Sequence, residues 1–298
     1  MNKRGQIAVF VIIGIVVLVL VGLVLAAKSS IDKKVSERET AKAGEIAFEV
    51  GPIKAYAQGC LKMAGENGIW ILGLHGGYLN TSVDNRYKEE GTAANMVYLG
   101  TDIPYYLGAG GSVLELSQIE QKLARYVIVK FDECMALNNF DEDGFSLERP
   151  IIDYAGIGFN FSAINVKSNV SINQDNVVVN VAYPMKAKKK EFEARLSEFR
   201  VDLPIRVGMI YSLIADNILT NISNSWANGQ LFDASAINCN EYDISNKTNI
   251  YSISMGNDGI VRIIDYYPYY HKYTKSFIFQ FAVNNNPQAV SEGKCTDH

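Results

Sequence analysis

Val166-Lys-Ser-Asn-Val-Ser-Ile172, then Asn173-Gln-Asp-Asn176, then Val177-Val-Val-Asn-Val-Ala-Tyr183 is the stretch that decides the fold. Val166, Ser168, Val170 and Ile172 alternate with polar neighbours, and Val177, Val179, Val181 and Tyr183 repeat the pattern. A period of two places one set of side chains on one face of a strand, and a polar turn between two such runs makes a hairpin. Phe192–Leu203 supplies a further strand that ends at Pro204, which has no N–H to offer a ladder. From Ile205 to Leu219 the period changes: Met209, Ile210, Leu213, Ile214 and Ile218 follow helical spacing. Strands followed by a helix predict an antiparallel sheet with a helix packed on it, an α+β arrangement over residues 151–298. Ile250–Met255 and Ile260–Ile264 flank Gly256-Asn-Asp-Gly259 as a second hairpin, and Ser276–Val283 reads as a last strand.

Towards the N-terminus the pattern is helical. Ile53, Tyr56, Ala57, Cys60, Leu61 and Ala64 form one stripe, which Gly65 and Gly68 weaken, and Gly73-Leu-His-Gly-Gly77 ends it. Ser117-Gln-Ile-Glu120 has the capping-box pattern, and Ile119, Leu123, Tyr126, Val127, Phe131 and Cys134 share the face that follows. Residues 51–150 therefore read as a helical subdomain. Four cysteines, Cys60, Cys134, Cys239 and Cys295, allow three pairings if all are oxidised, or buried thiols if the compartment is reducing. Two helices packed along their stripes favour Cys60–Cys134, and elimination leaves Cys239–Cys295.

Before these helices comes Ile7–Ala27, free of charge and apolar on every side. At about 1.5 Å per residue it crosses the ~30 Å of a bilayer core, so it is expected to be a transmembrane helix. Residues 28–50, charged and without Pro before residue 50, continue it as a helical stalk or linker. Basic residues flank both ends of Ile7–Ala27, so charge sets no orientation. Five Asn-x-Ser/Thr sequons, at Asn80, Asn160, Asn169, Asn221 and Asn246, together with the cysteines, favour an extracellular body with a cytoplasmic N-terminus.

The boundary Lys3-Arg4-Gly5, then Gln6-Ile7-Ala8-Val9-Phe10, resembles the leader of archaeal type IV pilin-like proteins, with a basic pair and a small residue directly before an apolar helix. The resemblance covers only the first 27 or so residues. It implies a class III signal peptide, removal of residues 1–5 by a prepilin-type peptidase between Gly5 and Gln6, and retention of the helix over residues 6–27 in the membrane. Phe10 stands where many members carry an acid, so filament packing would rest on apolar contacts and on Gly14 and Gly22, which permit close approach.

Signatures of chemistry are absent from the sequence. There is no G-x-S-x-G, H-E-x-x-H or P-loop, and His75, His271 and His298 have no zinc-ligand spacing. Asp141-Glu-Asp-Gly144 lacks the later glutamate of a calcium loop and reads as a turn. Asp153 and Asp265 read as surface carboxylates beside strands. A net charge of −4 argues against a nucleic-acid partner. Tyr266, Tyr267, Tyr269 and Tyr270 are the best contact candidates, because tyrosine gives stiff, amphipathic area. The expectation is a non-enzymatic cell-surface protein without cofactor or metal: a pilin-like filament subunit or adhesion component, partnered by the bilayer, by the peptidase and by its own copies. The alternatives are a monomeric single-pass receptor or binding module, and an anchored extracellular hydrolase.

Overall fold

A computed structural model of the protein describes residues 50–79, 95–107, 112–137, 140, 144–152, 166–190, 192–227, 248–255, 258–270, 275–284 and 292–294. The expected leader, membrane helix and stalk, with Gly5, Gln6, Gly14 and Gly22, lie outside these residues apart from residue 50. No described helix is long and apolar enough to cross a membrane. Residues 54–298 form one compact unit of mixed α+β structure.

Helix α1 (residues 50–74) and helix α2 (Leu116–Leu137) lie side by side, running in opposite directions. Cys60 is bonded to Cys134, Gly68 faces Leu123 and Tyr126, and Gly77, beyond the end of α1, faces Ile119. The pairing expected from the two stripes is therefore present, and Tyr56 Oη donates to the Cys134 carbonyl at 2.9 Å beside it. Cys239 and Cys295 lie outside the described residues.

Gly65 and Gly68 do not weaken α1. They are the positions at which it touches its neighbours. A Cβ on Gly65 would stand 2.8 Å from Leu203 Cδ1, and one on Gly68 would stand 2.6 Å from Leu123 Cδ1. At Gly73 the obstacle is backbone: a Cβ would meet Ile278 O at 2.2 Å. The helix then closes with a Schellman arrangement. Gly76 (φ +54°) is left-handed, the Gly77 N–H donates to Leu72 O at 2.8 Å, and the Gly76 N–H donates to Gly73 O at 3.3 Å. Gln280 reaches the freed Leu74 carbonyl through Nε2 at 2.9 Å.

Two sheets flank these helices. In the first, the long strand β5 (Val177–Lys189) pairs antiparallel along one edge with β6 (Phe192–Leu203). Its other edge carries β4 (Lys167–Ile172) and then β3 (Ser146–Glu148). Val177, Val179, Val181 and Tyr183 are all buried, as their alternation requires. Phe131 of α2 packs edge-on against Tyr183 at 5.1 Å and at a tilt against Phe199 at 5.5 Å, joining helix to sheet.

The second sheet has the order β1-β2-β9-β8-β7-β10. Its centre is the meander of β7 (Thr248–Met255), β8 (Asp258–Asp265) and β9 (Phe277–Asn284), with β10 (Glu292–Lys294) on the β7 edge. β1 (Asn95–Tyr98) and β2 (Thr101–Leu107) form a hairpin that turns through Leu99-Gly100, and β2 pairs parallel with β9. Residues 51–150 are thus not a separate helical subdomain. β1, β2 and β3 come from that segment, yet they complete sheets whose other strands lie beyond residue 150, because backbone edges need partners wherever the chain supplies them.

The remaining helices are short: α3 (Val207–Ser212), a π-helical segment (Leu213–Ile218), α4 (Leu219–Ala227) and α5 (Tyr267–Tyr270). The expected helical span of 205–219 starts two residues late, because Pro204 and Ile205 lead out of β6. The capping box also moves. Glu115, not Ser117, stands at the start of α2, and the Gln118 side chain accepts the Glu115 N–H at 2.9 Å. Glu120 is thereby released to accept the Ile172 N–H at 2.7 Å and pin β4 to the helix.

Three buried tyrosines give this core a defined alkaline limit. Burial, and then the hydrogen bond to Asp258, push the Tyr105 hydroxyl from 10.0 up to about 12. Burial also raises Tyr106 and Tyr183, the latter donating to Asp132. A phenol whose folded pKa is raised contributes its full stability below the unfolded value of 10.0 and loses it above. Stability measured by denaturant titration is expected to hold below pH 10 and to fall between pH 10 and about 12, with a shallower fall in Tyr105→Phe. The disulfide closes a chain separation of 74 residues, for which loop entropy predicts about 4 kcal/mol. Cys60→Ala with Cys134→Ala is expected to lower the unfolding free energy by about that amount relative to the oxidised protein.

Candidate functional site

Asp265 ends β8 and Thr248 begins β7, and the register sets them side by side. Arg206 immediately precedes α3, where Pro204 has stopped β6 and the Ile205 N–H has folded back onto Leu203 O at 2.7 Å. The chain thus delivers a cation and an anion to one enclosed point: Arg206 is 4% exposed and Asp265 is wholly buried. Nη2 of Arg206 donates to Asp265 Oδ1 at 2.6 Å and Nε to Oδ2 at 3.2 Å, a two-pronged fit of guanidinium to carboxylate. The Thr248 hydroxyl donates to Oδ1 at 3.3 Å, and so does the Tyr267 N–H at 3.0 Å. Four donors on one carboxylate satisfy a charge that burial would otherwise make very costly.

The same pair positions Tyr267. Its backbone is tied to Asp265, and its ring lies over the Arg206 guanidinium at 4.4 Å from the ring centre. Tyr267 also lines an open depression of about 730 Å³. The other walls are the β4–β5 turn, Asn173–Asn176, and the end of β6, with Asp202 and Pro204. That turn is braced from several directions. Asn173 Nδ2 donates to Asn176 Oδ1 at 2.9 Å, Asn176 Nδ2 donates to Asp202 Oδ1 at 2.7 Å, and Gln174 Nε2 reaches Ser212 Oγ at 3.5 Å. Gly208 lets α3 approach so closely that a Cβ there would stand 2.5 Å from Asn173 O.

Among the expected contact residues, Tyr266 and Tyr267 are half-buried, and Tyr267 and Tyr270 bound α5 with Tyr269 between them. The sequon residue Asn169 is exposed on β4, and Asn221 is half-buried in α4. Asn80, Asn160 and Asn246 lie outside the described residues, as do Asp153 and His271. His75 stands in the turn after α1 with Nδ1 2.9 Å from the Asp102 carbonyl. Among the described residues no three His, Cys, Asp or Glu side chains gather as a metal site would need.

Asp265 is not the surface carboxylate expected of a strand end but half of a buried pair with Arg206. The signal was there: Arg206 is a lone charge inside Pro204-Ile-Arg-Val-Gly-Met-Ile210, and Asp265 follows Ile263 and Ile264. Single opposite charges embedded in apolar runs are candidates for one buried pair.

Removing one partner strands the other. Arg206→Met is expected to lower the unfolding free energy by about 3–5 kcal/mol in denaturant titration, and adding Asp265→Leu to recover most of that loss. An equal or larger loss in the double variant would show that the pair stabilises the fold beyond compensating its own burial.

No protein-family model, curated protein sequence or solved structure matches this chain.

Proposed function

We propose that the protein is a membrane-anchored cell-surface structural protein, a pilin-like filament subunit or adhesion component, with its N-terminus cytoplasmic and its body extracellular. The observation that carries this reading is the Cys60–Cys134 bond on the buried seam of α1 and α2. Such bonds persist in oxidising compartments, and Ile7–Ala27 supplies a segment able to hold the body across a bilayer from the cytoplasm. The Lys3-Arg4-Gly5 boundary supports the pilin-like form of the anchor. A second reading, a binding module that stays monomeric in the membrane, is favoured by the braced depression beside Tyr267.

The mature N-terminus separates the two. Mass spectrometry of the protein purified from membranes is expected to give a chain beginning at Gln6, and Gly5→Phe is expected to leave Met1 in place. Retention of Met1 in the parent protein, with the molecules dispersed when the cell surface is imaged, favours the monomeric module. Recovery of the full chain from the soluble cytosol, with Cys60 and Cys134 as thiols, overturns both readings.

A further inference from the structure

We propose that the depression beside Tyr267 binds a neutral saccharide. This deepens the adhesion reading and rests on it for where such a ligand is met, while the chemistry of the site stands on the residues alone. A sugar ring presents a flat C–H face and a rim of hydroxyls that both donate and accept. The depression offers the complement: one tyrosine ring for the face, and amides and carboxylates for the rim. Asn173, Gln174 and Asn176 can donate and accept, and Asp175 and Asp202 accept.

Charge narrows the class. Among the described residues, two carboxylates line the depression and no Lys, Arg or His does. Arg206, against the Tyr267 ring, is buried and committed to Asp265. Phosphates, nucleotides and uronic or sialic acids would therefore meet like charge without compensation. An apolar peptide would find only Ile172, Pro204 and the tyrosine ring. The volume, about 730 Å³, lies within the range of small-ligand sites, and its open form suits the end of a longer glycan.

The site is also held before any ligand arrives. Gly208 seats α3 against the Asn173 carbonyl, Asn176 ties the turn to Asp202, and Asp265 with Arg206 fixes Tyr267. Less ordering remains to oppose binding, which matters for a ligand as flexible and well solvated as a sugar.

The test uses the full-length protein in phospholipid nanodiscs, since maltoside or glucoside detergents would compete. Saturation-transfer NMR is run against mannose, galactose, N-acetylglucosamine and chitobiose, with glucuronic and sialic acids as charged counterparts. At least one neutral sugar is expected to receive saturation at its ring C–H protons, and the acids to receive none. Tyr267→Ala and Asp175→Ala are each expected to weaken binding about tenfold, and Tyr267→Phe to retain it. Asp175 is exposed at the turn, so its removal reports on binding even where Tyr267→Ala unfolds the chain. Saturation of no neutral sugar, equal binding of the acids, or full binding in both alanine variants overturns the proposal. Membrane fractionation of the same preparation reads the anchor separately, so failure of the site and failure of the surface reading give different results.

Discussion

Helix α1 packs as closely as it does because, at three of its glycines, no side chain stands between it and its neighbours. Gly65 admits Leu203 from β6, Gly68 admits α2, and Gly73 admits the backbone of β9. Each contact is closer than a methyl group would tolerate, so the separation of the helix from both sheets is fixed by atoms that are missing. Glycine inside a helix costs about 1 kcal/mol in propensity. Here that cost is offset by packing the helix simultaneously on a second helix and on two sheets. The disulfide and the Tyr56 bond to the Cys134 carbonyl then hold α1 and α2 in the register these contacts require.

Where β6 ends, the link between sheets is electrostatic. Arg206 leaves the end of β6 and Asp265 ends β8, so a single two-pronged ion pair connects the two strand systems. Nothing apolar could do this with the same directionality. The pair fixes the angle of approach, and Tyr267 inherits its position from that angle. The depression lined by Tyr267 therefore lies between the four-stranded sheet and α5, and depends on one buried contact for its shape.

Much of this was legible in the residues, and where it was not the reason is physical. The alternation from Val166 to Tyr183 identifies β4 and β5 because one face of that sheet is buried and the other is wet. The stripes of α1 and α2 identify the disulfide for the same reason. Thr101–Leu107 carries no strand pattern in the sequence: Pro104 interrupts it, and Ile103, Pro104, Tyr105 and Tyr106 are buried in succession, so no period of two survives. Propensity marks the glycines of α1 as weak points because it describes an isolated helix, whereas here the neighbours decide. Of the site, the tyrosines were visible by composition. The Arg206–Asp265 pair joins residues 59 apart in sequence, and pairing at that range leaves no local pattern.

The parallel pairing of β2 with β9 also sets an order of events during synthesis. The Leu74 carbonyl waits for a glutamine 206 residues later in the chain, and the groove at Gly73 waits for the strand that carries it. A nascent chain thus has its first helices long before their resting surface exists. Until β9 emerges, the apolar flank of α1 and the edge of β2 are open to any other strand in reach, so folding of this unit is completed from its far end rather than built up as the ribosome delivers it.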